Sequence, residues 1–178
     1  MGTRYENHRP TIHEGINGRK IISISISEEH AACNTDAGEL HTWGLGDDGK
    51  LGHEDVSNQV LPKLVDTLSG VFCKEVACGS HHTAVVTMDG KVYTFGQGRR
   101  GQLGNGEEEN KHGPYLVMAL EAVDIDHVQS GASYTMALSS TGYVFTGGDL
   151  GKLRFLRDGI HFVARKSMRK PWTCSRKL

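Results

Sequence analysis

Proline is scarce, with four residues in a chain of 178, and long apolar runs are missing altogether. So little proline excludes a collagen-like or proline-rich disordered chain. No stretch reaches the roughly 18 apolar residues that a membrane-spanning helix needs, so no membrane contact is expected. Residues 1–20 are polar, and no signal peptide is expected. Cysteine is equally sparse. Cys33, Cys73, Cys78 and Cys174 form no C-x-x-C pair, and they read as reduced and mostly buried thiols. That usage fits an intracellular protein, cytoplasmic or nuclear. No Ser–His–Asp, Cys–His or paired-carboxylate constellation stands out, so no catalytic residue, cofactor or metal is expected.

Glycine is abundant instead. Twenty-three of 178 residues is roughly 13%, against about 7% in an ordinary protein. Many glycines with few prolines suit short strands joined by tight turns. Charge is unevenly spread. Residues 151–178 hold nine bases and one acid, a net of +8, which leaves −9 for the remainder of a chain whose total is −1. The end of the chain therefore differs in character from the rest.

Sliding the sequence against itself by 52 residues exposes a repeat. His30, Ala32, Thr35, Gly38 and Thr42 fall on His82, Ala84, Thr87, Gly90 and Thr94. Gly44, Gly46, Gly49, Leu51 and Gly52 fall on Gly96, Gly98, Gly101, Leu103 and Gly104. Pro62, Leu64, Val65, Leu68 and Val71 meet Pro114, Leu116, Val117, Leu120 and Val123. These are at least fifteen identities over residues 24–71, where composition alone gives roughly three. The shift carries on, with Val76, Gly79, Thr83, Gly90 and Val92 meeting Val128, Gly131, Thr135, Gly142 and Val144.

Each unit reads as strands. Residues 82–87 and 91–95 form a hairpin about the turn Asp89-Gly90, with Val92 and Thr94 on one face and Tyr93 and Phe95 on the other. Residues 31–35 with 39–43, and 134–139 with 143–146, repeat that shape. Residues 61–68 and 115–120 are further strand candidates. No segment holds a capped 3.6-residue apolar period. The expected fold class is all-β: a partial β-propeller of about three four-stranded antiparallel blades, the third degenerate. The expected division is a polar segment at 1–19, repeats at 20–71, 72–123 and 124–153, and a basic tail at 154–178.

Residues 76–106 carry Ala77-Cys78-Gly79, His82-Thr83, an apolar strand, the turn glycine Gly90, the pair Phe95-Gly96 and Gly101-Gln102-Leu103-Gly104. That order resembles the repeat of the regulator-of-chromosome-condensation family. The first unit keeps His30, Gly38, Trp43-Gly44 and Gly49-Lys50-Leu51-Gly52, but has Ile26-Ser27 in place of Cys-Gly. The third keeps Ser130-Gly131, Thr135 and Gly142, then departs with Gly147-Gly148 and Gly151-Lys152-Leu153-Arg154. The resemblance covers residues 20–153 and implies the blades of a seven-bladed propeller. It also implies a non-enzymatic interaction module. Family members serve as exchange factors for small GTPases, as chromatin-binding proteins, and as interaction domains in ubiquitin ligases and ciliary proteins. A kelch-type propeller has a similar period, but its double glycine occurs only at Gly147-Gly148.

Gly96-Gln97-Gly98-Arg99-Arg100-Gly101 matches the phosphate fingerprint G-x-G-x-x-G, which raises the alternative of a nucleotide-using enzyme. Gly44-Leu45-Gly46-Asp47-Asp48-Gly49 matches it too, one repeat earlier. A cofactor loop is needed once, a structural turn in every unit, and no helix follows to cradle a pyrophosphate. The apices of these loops differ in charge. Asp47, Asp48, Arg99 and Arg100 are therefore candidate protein contacts, solvated surface being the alternative. Cys78, His81, His82 and His30 fit no metal-ligand spacing. For His30 and His82, bonds to nearby backbone are the simpler expectation. Arg165, Lys166, Arg169 and Lys170 are candidate nucleic-acid contacts or an import address, the alternative being a solvated end.

Three units cannot close a seven-bladed ring, and an open arc exposes blade faces and strand edges. Further repeats, self-association or marginal stability are the expected consequences. The loss of pattern after Gly151 suggests an alternative end of the gene product. Sequencing the transcript tests this: a longer frame that resumes repeats in place of residues 152–178 supports it, and the lack of one sinks it.

Overall fold

The computed structural model describes residues 14–149 and 173–175. They form three four-stranded antiparallel sheets. The first is a meander of β1 (Ile21–Ile26), β2 (His30–Thr35), β3 (Leu40–Gly44) and β4 (Gln59–Leu64). The second repeats it with β5 (Cys73–Cys78), β6 (His82–Thr87), β7 (Val92–Gly96) and β8 (Lys111–Leu116). The third holds β9 (Ile125–Ser130), β10 (Tyr134–Ser139) and β11 (Val144–Gly148). Its outer strand, β12 (Thr173–Ser175), comes from beyond the repeats and sets Val144 opposite Ser175.

The same turn chemistry makes each hairpin. Gly38, Gly90 and Gly142 sit at φ of 83°, 76° and 84° and donate their amides to Thr35, Thr87 and Ser139 carbonyls. Only glycine enters that region at little cost. The hydroxyls of Thr35, Thr87 and Ser139 then accept the amides of Glu39, Lys91 and Tyr143 at 3.2, 3.0 and 2.9 Å, closing each turn. The candidate strands at 61–68 and 115–120 stop earlier, at Leu64 and Leu116. Single 3-10 turns follow at Asp66–Leu68 and Met118–Leu120, because bending the chain there drops Leu68 and Leu120 into the core.

That core lies between sheets, never within one. Ala32, Leu40, Val65 and Leu68 of the first sheet pack on Cys73, Val76, Cys78, Val85 and Phe95 of the second. Ala84, Val86, Val92, Val117 and Leu120 of the second pack on Ile125, Val128 and Ala137 of the third. Every residue of β2 and β6 is buried, and β6 has a sheet packed on each of its faces. First strands of successive sheets lie side by side. The amides of Val76 and Cys78 donate to the hydroxyls of Ser23 and Ser25 at 3.3 and 2.9 Å. One stage on, the Ser130 hydroxyl donates to the Ala77 carbonyl at 3.3 Å.

Cys33, Cys73 and Cys78 are free thiols, all buried. Burial pushes Cys73 up to about 11 and Cys78 up to about 12, so neither is a nucleophile near neutrality. No helix among the described residues is long and apolar enough to cross a membrane.

One position breaks the apolar pattern. Asn34 is fully buried where the next units carry Val86 and Leu138, and neither of its amide atoms finds a partner among the described residues. A buried polar group without a partner costs about 1–3 kcal/mol. Asn34→Val is expected to raise Tm by a few degrees in a thermal melt; a lower Tm would show that the amide is satisfied in solution.

Candidate protein-interaction face

The long loops joining the third strand to the fourth carry the glycines. Gly44 and Gly96 have φ of 111° and 104°, and a side chain at either would sit 2.4 to 2.5 Å from the carbonyl oxygen of Glu29 or His81. The following amides, Leu45 and Gln97, donate to those carbonyls at 2.9 and 2.8 Å. Gly46 and Gly98 meet the returning arm of their own loop. Their missing Cβ positions lie 2.2 Å from the Ser57 oxygen and 1.9 Å from the Glu109 oxygen. Their amides donate to Asn58 and Asn110 side chains at 2.9 and 3.2 Å. The Gly49 and Gly101 amides donate back to Gly46 and Gly98 carbonyls. A phosphate cradle needs inward amides left open; here the amides of the second and third glycines of each motif, and the space beside the second, are taken by the chain itself.

Asn58 and Asn110 escaped the sequence reading, although they too are 52 residues apart. Their signal is identity at a spacing already established.

The loop tips then hook into the next sheet. Leu51 and Leu103 are buried, and their carbonyls accept Thr42 and Thr94 hydroxyls at 2.6 and 2.7 Å. The preceding carbonyls, Lys50 and Gln102, accept hydroxyls from Thr83 and Thr135 of the following sheet at 2.7 and 2.9 Å. Those hydroxyls also lie 2.8 Å from Nε2 of His30 and His82. A hydroxyl that donates its one proton to a carbonyl must accept from the imidazole, so Nε2 carries the hydrogen in both histidines. The expectation of bonds to nearby backbone is thus corrected. The imidazoles reach the next sheet, because the loop carbonyl and threonine meet at the seam. The Nδ1 atom of His30 faces the Ser27 hydroxyl at 2.8 Å. For His82 the matching residue is Gly79, whose missing Cβ would lie 2.4 Å from Nδ1, so the ring fits only against glycine.

The four loop-apex candidates divide into two kinds. Asp47, Arg99 and Arg100 are exposed, and Asp48 is half-buried. Asp48, at a φ of 62°, accepts from Gln97 Nε2 at 3.0 Å and Asn110 Nδ2 at 2.8 Å, both in the loop between β7 and β8. Arg100 reaches forward likewise, 3.7 Å from Asp149 and 3.5 Å from Ser133 Oγ. The second apex residue of each loop is thus engaged by the neighbouring unit. Arg165, Lys166, Arg169 and Lys170 lie outside the described residues.

The first loop hides a charge that the sequence did not announce. Lys50 is fully buried, with Nζ 2.7 Å from Glu29 and 3.7 Å from Asp47. The hydrogen bond from Lys50 holds the Glu29 carboxyl below its usual range. The second loop has the neutral pair Gln102 and Gln97 there, 3.2 Å apart.

A family model described as "Regulator of chromosome condensation (RCC1) repeat" matches residues 37–86 and again 89–138. Each match starts at a hairpin turn and so straddles two sheets. The human E3 ubiquitin-protein ligase HERC2 is 36% identical over 83% of this chain and 3% of its own length. The Arabidopsis thaliana ultraviolet-B receptor UVR8 is 33% identical over 83% of this chain and 34% of its own. The Xenopus laevis protein RCC2 homolog is 32% identical over 89% of this chain and 31% of its own. The chain therefore spans at most about a third of these relatives. Among solved structures, human WBSCR16 superposes with a TM-score of 0.68 at 22% identity, covering 74% of this chain and 33% of that one. Prp20p from Saccharomyces cerevisiae gives 0.62 at 22%, covering 70% and 32%. These likenesses show the fold.

The relay makes stability depend on pH. Burial, reinforced by Lys50, pushes His30 down to about 4, and burial with His30 nearby pushes His82 down to about 3. Both are neutral when folded, while the unfolded chain takes up protons below about 6.5. Their contribution is complete above that pH and is lost as pH falls toward 4, at about 1.4 kcal/mol per histidine per pH unit. Urea titrations at pH 7, 6 and 5 should show a falling midpoint, less steep in His82→Gln; a midpoint constant with pH would refute the assignment.

Proposed function

The chain belongs to the regulator of chromosome condensation (RCC1) repeat family, and on that premise we propose that it is a non-enzymatic protein-interaction module. Its loop face presents Asp47 and Arg99 to a protein partner. One observation supports this reading above the rest: the glycine loops use their own amides and carbonyls to lock onto themselves and onto the next sheet, which leaves their exposed apex residues, acidic in one unit and basic in the next, at the surface. Leu45 and Val56, 40% and 52% exposed, flank the first apex with apolar surface of the kind found at interface centres.

The partner we propose first is a small GTPase, with guanine nucleotide exchange as the activity; chromatin and ubiquitin-pathway proteins come next. Support comes from the relatives. HERC2 is an E3 ubiquitin-protein ligase, and the Prp20p structure is described with binding to Gsp1p and histones. Arg165, Lys166, Arg169 and Lys170 would add a nucleic-acid contact, and the cytoplasm or nucleus is the proposed site of action. The nucleotide-enzyme alternative loses its main support, because the loop amides it needs are already bonded.

Capture assays with purified small GTPases and histones, paired with nucleotide-exchange kinetics, test the proposal. The variant Arg99→Glu should weaken capture about tenfold or more while leaving Tm unchanged. Saturating nucleotide should not move Tm; a rise of several degrees would restore the enzyme reading.

A further inference from the structure

At the end of the sheets opposite the glycine loops, where the hairpin turns lie, the three units make one hydrogen bond in common. The residue after the second strand donates its amide to the carbonyl of the residue before the first. Asp36 donates to Lys20 at 2.9 Å, Met88 to Phe72 at 2.8 Å and Ser140 to Asp124 at 3.0 Å. The bond is made by backbone alone, so it sets no demand on the side chains. The first and third units fill both positions with polar residues, all exposed. The second unit places phenylalanine and methionine there, 57% and 65% exposed. Neither side chain joins the apolar core on either side of its sheet. Further blades extend such an array sideways, and the second sheet already has a neighbour on each side. The exposure of this pair is therefore independent of any further blade.

The surroundings of the pair are acidic. The Phe72 ring stands on the turn of the first unit, where a Cβ at Gly38 would lie 2.6 Å from its Cδ1. Met88 is held beside Phe72 by the shared hydrogen bond. Asp124 stands on the turn of the second unit in the same way, with its Oδ1 where a Cβ at Gly90 would clash. Asp36 thus borders the pair on one side, and Asp89 and Asp124 border it on the other, all exposed. The nearby bases are engaged. Lys20 lies 4.0 Å from Asp36, Lys74 lies 3.1 Å from Asp126, and Lys91 Nζ donates to the Glu121 carbonyl. Among the described residues neither Asp89 nor Asp124 forms an ion pair. An apolar pair that the fold does not require, edged by free carboxylates, fits a ligand that sets an apolar side chain between cations. The rigid ring and the adaptable thioether both suit such a contact.

We propose that this end is a second interaction surface, at which Phe72 and Met88 seat an apolar side chain from a basic segment of a partner protein, while Asp89 and Asp124 hold its flanking lysines or arginines. It lies across the sheets from Asp47 and Arg99. It goes beyond the loop-face reading and does not depend on it.

Fluorescence anisotropy of a labelled peptide of alternating lysine and leucine, titrated with the 178-residue chain, tests this. The lysine peptide should bind at micromolar concentration, and a counterpart with glutamate for lysine about tenfold or more weaker. The decisive variant is Phe72→Asp with Met88→Ser. It copies the third unit, which makes the same turn, and it adds an acid. Charge attraction alone predicts tighter binding of the lysine peptide by this variant. The proposed surface predicts binding about tenfold or more weaker. Asp89→Asn with Asp124→Asn should weaken binding as well, and added salt should weaken it in the wild type. Met88→Ser alone replaces the double variant if the latter does not melt cooperatively. A wild-type chain that does not bind the lysine peptide, or apolar-pair variants that bind it as tightly, overturn the proposal. A wild-type mass of twice 19.4 kDa in light scattering that returns to 19.4 kDa in the Phe72→Asp, Met88→Ser variant overturns it too, and assigns the surface to a second copy of the chain.

Discussion

A four-stranded sheet of strands five or six residues long has two faces and no interior. Whatever apolar surface it carries must be buried against another sheet, and this one constraint organises the molecule. Val85 and Phe95 on one side of the second sheet, and Val86 and Val92 on the other, become core only because a sheet stands on each side. Burial of this kind is worth about 25 cal/mol per Å². An isolated blade forgoes nearly all of it, so stability belongs to the seams, in the nearest-neighbour manner of repeat proteins.

Apolar contact alone does not fix the register of one sheet on the next. The polar relay does. A loop carbonyl at Lys50 or Gln102, a threonine hydroxyl from the next sheet and an imidazole from the loop's own sheet must converge in a buried site. Sliding the sheets would leave three polar groups without partners, at a cost of several kcal/mol. The glycines serve that convergence. They let backbone approach backbone, as at Gly96, where a Cβ would crowd Lys50 Cα at 3.2 Å. A motif that in one copy would suggest a phosphate site is, in two copies, the hinge of a structural hook.

The same relay links the two halves of the functional argument. Carbonyls, amides and the Asp48 carboxylate are engaged by the array, while Asp47, Arg99 and Arg100 keep exposed side chains, acidic in the first loop and basic in the second. Lys50 is the exception. It carries a charge into the hook of the first loop, held by Glu29 at 2.7 Å, where the second loop manages with Gln102 and Gln97.

Much of this was legible in the linear order of residues. The 52-residue spacing identified three units and their hairpins, since a turn glycine and alternating strands are local consequences of steric and hydrogen-bonding rules that act over a few residues. It also exposed the glycine loops as structural, since a duplicated motif implies a duplicated role. It did not show where His30 and His82 direct their rings, that Asp48 binds forward while Asp47 stays exposed, that Asn34 is stranded, or that three residues from the far end supply the last strand. Each of these depends on which groups a neighbouring sheet brings within about 3 Å. That is settled by packing over distances in sequence of thirty residues and more, which no local rule contains. The sequence by itself determined the unit; only the tertiary structure decided how one unit holds the next, because the seam is made of groups that meet nowhere along the chain.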